Sequence, residues 1–309
     1  MAEFSPMLST TLIIDGVSYG FLPHPVLPDE VYKVVREQAT TYQLRRKADG
    51  TLWALKVSSP GYRNPQIEQK TYQICRYAHL PGLQIARRTC LTRFKFPDLL
   101  SLYPDLEYAV LMPWIEGKTW AGCMDDAASS ASYTRQHAQE LALTVAHALW
   151  TLEANHITHA DIAGDNIIII NTRCVELIDL ENLYEHGSPL PEQPSRGWQG
   201  YQHRNMDARG NCRPEGDRYA GAILLTEILT WWKPLIRALT DGDALFQIRS
   251  EDDSSGVLMR RLKAVRSTLR EISPGLQYLF DQAWNSPDFA VCPDFATWVM
   301  YLLDARRTS

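Results

Sequence analysis

One stretch near the middle of the chain constrains the fold more than any other feature. Residues 157–166 have the sequence ITHADIAGDN and run directly into four consecutive isoleucines. A short polar link and a second apolar run, which contains Asp179, follow. Two short apolar runs with a polar link between them predict a hairpin of buried strands. Side chains at the two ends of such a hairpin can converge, so we expect Asp161, Asn166 and Asp179 to form one cluster.

The residue types in this cluster indicate a chemistry. Carboxylate and amide oxygens suit a hard divalent cation such as Mg²⁺, and an incomplete protein shell leaves room for phosphate oxygens. With Asn166 and Asp179 as the cation ligands, Asp161 remains to orient a hydroxyl nucleophile. The stretch therefore predicts a phosphoryl-transfer site.

Composition excludes several other classes of protein. The 309 residues are 45% hydrophobic and 22% charged, with a net charge of −5, which is ordinary for a globular protein of one or two domains. The charge gives no reason to expect binding to nucleic acid or to a membrane surface. The six cysteines form no C-x-x-C pair and no secretory signal is recognisable, which argues against a zinc ribbon and a disulfide framework. The longest apolar stretch, 219–236, is interrupted by Glu227 and Lys233, so we expect a cytoplasmic protein.

The order of motifs around the central stretch resembles the protein kinase superfamily. His159-Ala-Asp161 with Asn166, followed by Asp179, is similar to the catalytic loop and the metal-binding aspartate of that family. Five further segments match the family in the right order between about residues 30 and 304. They are the strand pattern Trp53-Ala-Leu-Lys56, a helix at 65–79 containing Glu68, a strand and hinge at 107–117, the segment Gly197-Trp-Gln-Gly-Tyr201, and an apolar helix opened by Asp217.

The resemblance implies a fold. It is an α+β, bilobal protein-kinase-like fold, with a small, mainly antiparallel β N-lobe plus one helix and a larger, mainly helical C-lobe. The implied boundaries are an N-terminal extension at 1–27, the N-lobe at 28–112, the hinge at 113–117 and the C-lobe at 118–309. In this family the opening aspartate of the apolar helix, here Asp217, holds the backbone of the catalytic loop.

The resemblance also implies a role for each site residue. Asp161 would accept the hydroxyl proton, Asn166 and Asp179 would hold Mg²⁺, and Lys56 would position the α and β phosphates of ATP, braced by Glu68. The Pro113 carbonyl and the Ile115 amide would bind adenine, and Pro113 can do so because proline keeps its carbonyl. The remaining implied ATP contacts are Ala54, Met112 and Ile168.

Three of these assignments have an ordinary structural alternative. A lysine in an apolar strand such as Lys56 is commonly a surface residue whose stem packs on the sheet. Glu68 lies about one turn earlier than the family's glutamate, and an acid in the first helical turn is favoured by the helix dipole alone. Residues 107–117 could be a core strand followed by a turn.

The sequence departs from the family pattern in several places. The segment aligned with the glycine-rich phosphate loop, 34–41, contains no glycine, although glycines let backbone amides close on phosphates. Ala160 replaces the usual arginine, which predicts activity without activation-loop phosphorylation. Ala163 replaces a phosphate-contacting lysine. Asn205 and Cys292 replace both members of a buried ion pair, and losing both members costs less than losing one.

The predicted function is ATP- and Mg²⁺-dependent phosphoryl transfer to Ser or Thr hydroxyls of a partner protein, which is a substrate or a regulatory partner. The sequence of the catalytic loop is most similar to that of divergent bacterial protein kinases, including those associated with von Willebrand A domain and metal-dependent phosphatase partners. One alternative is a pseudokinase that acts as a binding module. Another is a small-molecule kinase on the same fold, although 121–133 is short for the helical insertion that such enzymes carry. The oligomeric state is not predicted.

Overall fold

The computed structural model describes residues 4–240, 244–247 and 254–307. They form two compact units that divide between Glu116 and Gly117, inside the segment where the sequence predicts a hinge. The chain is of the α+β class, because an antiparallel sheet dominates the first unit and helices dominate the second. None of the helices formed by the described residues combines the length and the hydropathy needed to cross a bilayer.

The first unit is built on one antiparallel sheet. Its strands are β1 (Thr11–Ile14), β2 (Val17–Phe21), β3 (Lys33–Val35), β4 (Ala39–Arg46), β5 (Leu52–Ser58), β6 (Thr89–Cys90) and β7 (Val110–Pro113). The strand order is β1-β2-β4-β5-β7-β6, and β3 pairs with β4 as well. The hairpin of β1 and β2 lies in the predicted N-terminal extension, and Phe21 pairs with Leu44 of β4. Residues 1–27 therefore contribute two strands to this sheet.

One face of the sheet carries the core of the first unit. Leu44 and Leu55 are fully buried there, beside an aromatic group in which Phe4 packs edge-on against Tyr42. The phenol of Tyr42 donates to the Phe4 carbonyl at 2.9 Å. Successive side chains of a strand point to opposite faces of the sheet. Since Leu55 points into this core, its two neighbours in β5 point to the opposite face.

The helices of the first unit differ from the prediction. The predicted helix at 65–79 is α1 (Gln66–Cys75), and the residues after Cys75 form turns instead. A second helix, α2 (Pro97–Leu102), begins with proline at its first position, where the missing N–H is not needed. The expectation of a single helix in this unit is therefore wrong.

The second unit is mainly helical. Its helices are α3 (Trp120–Asp125), α4 (Ala127–Ser132), α5 (Arg135–Ala154), α6 (Arg218–Thr230), α7 (Pro234–Leu239), α8 (Ser254–Ile272), α9 (Pro274–Trp284) and α10 (Phe295–Arg307). Its strands are β8 (Lys118–Thr119), β9 (Ile157–Thr158), β10 (Ile167–Asn171), β11 (Cys174–Leu177) and β12 (Tyr184–Glu185). They form a small sheet in the order β11-β10-β8 and the separate pair β12-β9.

Helix α6 is the centre of the second unit. Every residue from Tyr219 to Thr230 is buried, and α5, α8 and α9 pack around it. Such burial on all sides is typical of a helix that is hydrophobic all round. Helix α5 also packs against α10.

Two further stretches of the second unit contain helix. The stretch at 121–133 holds α3 and α4, which are separate because Asp126 caps the start of α4 through the amides of Ala128 and Ser129. In the stretch 251–256, helix α8 begins at Ser254, and residues 251–253 lie outside the described residues. The hairpin after Asn166 forms as expected, although its Ile170 is 39% exposed, so β10 is buried only at its start.

Candidate functional site

A buried carboxylate fixes the backbone of the central stretch. Asp217 is 5% exposed and accepts hydrogen bonds from the amides of His159 at 2.6 Å and Ala160 at 2.9 Å. Asp217 precedes α6 but makes no side-chain bond to the amides of that helix. Burial raises the pKa of Asp217 to about 6, against the opposing effect of His159 and of the two amides. This is the contact that the resemblance implies for Asp217.

His159 ties the same stretch to the strand that follows. Its ring is fully buried, and Nε2 lies 2.9 Å from the carbonyl oxygen of Ile178. A carbonyl can only accept, so Nε2 carries the proton. His159 is thus a hydrogen-bonding and packing residue.

The backbone between His159 and Asp161 is held in a rare conformation. Ala160 has φ of 65°, in the left-handed region that costs an alanine about 1–2 kcal/mol. The Ala160 carbonyl accepts from Nδ2 of the buried Asn211 at 3.0 Å, and its amide is bound to Asp217. The amide and the carbonyl of Ala160 are therefore both hydrogen-bonded, and these two bonds hold the residue in its strained conformation.

Asp161 is held by two amide side chains. Asn166 Nδ2 donates to the Asp161 carbonyl at 2.8 Å, and Asn182 Nδ2 donates to the carboxylate at 3.3 Å. Burial is the main factor that raises the pKa of Asp161, and the neighbouring Asp179 carboxylate raises it further. His159 and the two amides oppose this rise. A carboxyl with a raised pKa is better suited to accept a proton near neutral pH.

Asp179 is brought to the cluster by the hairpin. Ile167 pairs with Leu177, and the Ile178 amide donates to the Asn166 carbonyl at 2.9 Å. Asp179 follows with φ of 58° and ψ of 51°, so the chain turns sharply at this residue. The structure therefore brings Asp161, Asn166 and Asp179 together at the end of the hairpin, as the spacing predicts.

The donor set of this cluster suits a hard cation. Asn166 donates through Nδ2 to the Asp161 carbonyl. Its Oδ1 is therefore the atom that could bind a metal ion, together with the carboxylate of Asp179. Oxygen donors of this kind are those that Mg²⁺ prefers. Among the described residues, no group of three or more His, Cys, Asp and Glu side chains is arranged to hold a metal ion. Any cation here would therefore complete its shell with other oxygens.

Ile168 lies beside this cluster on β10. It pairs with Thr119 of β8 and is half-buried. Gly117, which directly precedes β8, has φ of 156° and lies close to β10. A Cβ at this position would lie 2.6 Å from the Ile168 side chain. Only glycine fits at this contact.

The predicted nucleotide residues of the first unit lie on two paired strands. Ala54 pairs with Met112, Trp53 with Pro113, and Lys56 with Val110. Ala54 and Lys56 are two apart and face away from the core that Leu55 enters. Lys56 is half-buried. Ile115, also half-buried, follows β7, so these residues lie on, or directly after, two neighbouring strands of the sheet.

Glu68 has a different partner from the one the sequence suggests. Its carboxylate forms an ion pair of 3.0 Å with Lys95, and both side chains are about half exposed, at 40% and 48%. Glu68 lies in the first turn of α1, which is the position of the ordinary structural alternative. The ion pair with Lys95 supports the ordinary structural alternative for Glu68 over a role in bracing Lys56.

The segment without glycine forms a tight hairpin. β3 and β4 are joined by Arg36, Glu37 and Gln38, and the Arg36 amide donates to the Ala39 carbonyl at 2.9 Å. Ser59 holds the tip from the end of β5, because its amide donates to the Gln38 carbonyl at 2.8 Å and its hydroxyl to the Glu37 carbonyl at 3.0 Å. The hairpin is thus fastened by specific side-chain and backbone bonds rather than left open.

Sequence reasoning missed a buried acid behind the central stretch. Glu227 of α6 is fully buried and accepts from the Tyr201 phenol at 2.5 Å and from the Leu245 amide at 2.8 Å. The Tyr201 oxygen in turn accepts from the Gly164 amide at 3.2 Å. Burial raises the pKa of Glu227 to about 7. The available signal in the sequence was a single glutamate inside an apolar stretch.

Asn182 and Asn211 were missed as well. They contact Asp161 and Ala160 from segments that carry no recognisable motif, so no signal in the sequence could have identified them.

No protein-family model matches this chain, and no curated protein matches it significantly.

Proposed function

We propose that this chain is a Mg²⁺- and ATP-dependent phosphotransferase with a bilobal, protein-kinase-like fold. It acts on Ser or Thr hydroxyls of a partner protein. The observation that carries the proposal is the fixed loop 159–166, in which Asp217 and His159 hold the backbone and Asn166 holds Asp161. Such a rigid acidic loop next to an Asn–Asp pair suits in-line transfer, where catalysis comes from positioning and from charge neutralisation.

Each site residue has a defined part in the proposal. Asp161 orients the acceptor hydroxyl and takes its proton, which its raised pKa favours. Asn166 and Asp179 are the residues that would hold Mg²⁺, which neutralises phosphate charge when bound. Lys56 positions the phosphates. Ala54, Met112, Pro113, Ile115 and Ile168 contribute apolar contacts and backbone groups for the nucleotide base.

One observation favours a second candidate, a pseudokinase. The hairpin at 33–46 has no glycine, and Ser59 fastens its tip. A hairpin whose tip is held by hydrogen bonds is less able to move its backbone amides onto phosphates. A binding module that uses the fold without turnover would tolerate this arrangement, and it would also tolerate a Glu68 paired with Lys95.

The test is a thermal-shift titration with ATP, with and without Mg²⁺, on the wild type, Asp179→Ala and Asp165→Ala. Asp165 is an exposed acid in the same loop and serves as the matched control. We expect a saturable, Mg²⁺-dependent rise in Tm, about equal to RT ln(1 + [L]/Kd) in free energy, that Asp179→Ala loses and Asp165→Ala keeps. No shift at millimolar ATP would exclude the proposed enzyme.

A second measurement separates the two candidates. Transfer of ³²P from ATP to a mixture of Ser- and Thr-containing proteins is compared between wild type and Asp161→Ala. Turnover that Asp161→Ala abolishes, with nucleotide binding retained, supports the phosphotransferase. Binding without any turnover in the wild type supports the pseudokinase.

A further inference from the structure

Helix α8 carries a row of basic side chains along its exposed face. Arg260, Lys263, Ser267 and Arg270 are all exposed, and their spacing of three, four and three residues places them on one side of the helix. The opposite side, which includes Val265 and Leu269, is fully buried. The row is therefore a regular surface feature of a well-packed helix.

This row lines a shallow, open groove on the surface of α8, beside α9. Met259 and Arg266 of α8 and Gln277 of α9 complete the lining, and the groove has a volume of about 540 Å³. We call it the basic groove. Its polar groups are arranged by two contacts with α9: Arg266 Nε donates to Asp281 at 2.6 Å, and Arg270 Nε donates to Gln277 at 2.7 Å.

Among the described residues, most of the positive charge in the basic groove has no carboxylate partner. Arg266 is paired with Asp281. Glu271, the single acid in the sequence of α8, pairs instead with Lys233 at 2.7 Å. Within the described part of the chain, no carboxylate pairs with Arg260, Lys263 or Arg270. Three like charges thus lie along about 15 Å of helix, on a chain whose net charge is −5.

We propose that the basic groove binds an acidic segment of a partner protein in an extended conformation. Its length of about 15 Å matches about five residues of an extended chain, at 3.3 Å per residue. Carboxylates at alternate positions could then reach Arg260, Lys263 and Arg270, and Ser267 can bond to the peptide backbone. This inference does not depend on the proposed phosphotransferase activity.

The surrounding charge favours a short acidic peptide over other anions. Nucleic acid follows a long phosphate backbone and requires an extended positive surface, whereas this chain is acidic overall. A membrane-binding polybasic site typically holds about 4–8 Lys and Arg residues, whereas this groove has three cations without a carboxylate partner among the described residues. A short acidic segment contacts only the groove, so the repulsion from the rest of the protein, screened beyond about 8–10 Å, affects it least.

The test measures binding of a fluorescein-labelled peptide with five consecutive glutamates between Gly-Ser flanks to the full chain, by fluorescence anisotropy. The groove variant is Arg260→Glu/Lys263→Glu. The matched control, Arg173→Glu/Arg307→Glu, makes the same change in net charge at exposed positions outside the groove. We expect the groove variant to lose about tenfold or more in affinity, since close charge pairs at interfaces couple strongly. The control should lose about twofold or less, because distant charges are screened.

Three results would overturn the proposal. One is the absence of peptide binding at millimolar concentration. Another is an equal loss of affinity in both double variants, which would indicate net charge rather than the groove. The third is tighter, groove-dependent binding of an oligothymidylate, of a phosphopeptide or of anionic vesicles, which would assign the groove to phosphate ligands. The milder variant Arg270→Gln, with circular dichroism to check folding, repeats the measurement without charge reversal.

Discussion

The carboxylate of Asp217 lies 2.6 Å from the amide nitrogen of His159, although 57 residues separate the two along the chain. This contact, and the parallel one to Ala160, join the most buried helix of the second unit to the stretch that carries Asp161. The stretch is short and includes a residue in the left-handed region, so it would not hold its shape alone. The acidic cluster therefore depends on a charge that lies behind it.

Removing that charge should destabilise the second unit. In Asp217→Asn one amide oxygen must replace two carboxylate oxygens, and the NH₂ group faces a backbone N–H. We expect a loss of about 3 kcal/mol in the free energy of unfolding, because buried donors are left without acceptors. Urea unfolding followed by circular dichroism measures it.

The control for this prediction is Asp125→Asn. Asp125 is exposed at the end of α3, so its substitution should change stability by about 0.5 kcal/mol or less. Equal effects of the two variants would show that Asp217 acts through net charge and not through its two hydrogen bonds.

The buried Glu227 should make stability depend on pH. Its pKa is raised from 4.5 to about 7 in the folded chain, so the folded state binds the proton more tightly than the unfolded state does. The free energy of unfolding therefore falls as pH rises from about 4.5 and levels off above about 7. Between pH 5.5 and 7.5 we expect this group to remove about 2 kcal/mol.

Comparison with Glu227→Gln isolates the contribution of this group. The variant cannot titrate, so its stability should change less over this pH range than that of the wild type, by about 2 kcal/mol. Glu192→Gln, at an exposed position, has the same net charge and should follow the wild type. Parallel pH curves for wild type and Glu227→Gln would refute the raised pKa.

The ion pair between Glu68 and Lys95 predicts a small effect of Glu68 on nucleotide binding. The pair is half exposed, so Glu68→Ala should cost about 0–1 kcal/mol of stability. If Glu68 does not brace Lys56, the affinity for Mg-ATP should change by about twofold or less, which corresponds to about 0.4 kcal/mol. Lys95→Ala should behave in the same way. A tenfold loss confined to Glu68→Ala would restore the role that the sequence suggested.

The sequence was most informative where local spacing decides the geometry. Asp161, Asn166 and Asp179 were expected to meet because a hairpin brings its two ends together, and β10 and β11 do so through the register of Ile167 and Leu177. The role of Asp217 came from a resemblance and not from a local pattern.

The sequence was least informative where contacts depend on distant segments. The partner of Glu68 is decided by where the loop after β6 places Lys95, and no local pattern encodes that position. Asn182 and Asn211 reach the site from irregular segments. Helix α2 was missed because a six-residue helix has too few turns to show a period.

The fastened β3–β4 hairpin gives the last prediction. Besides the two bonds from Ser59, the Tyr62 phenol donates to the Glu37 carboxylate at 3.3 Å. The double variant Ser59→Ala/Tyr62→Phe removes the two side-chain bonds and keeps the Ser59 amide, so opening of the tip should become easier by about 1–2 kcal/mol. Hydrogen exchange measured by mass spectrometry should then be about 5- to 30-fold faster in peptides covering 33–41. Peptides covering β7 serve as the internal control and should keep their rates. Unchanged exchange at 33–41 would show that backbone hydrogen bonds, from β4 and from the Ser59 amide, are sufficient to hold the hairpin closed.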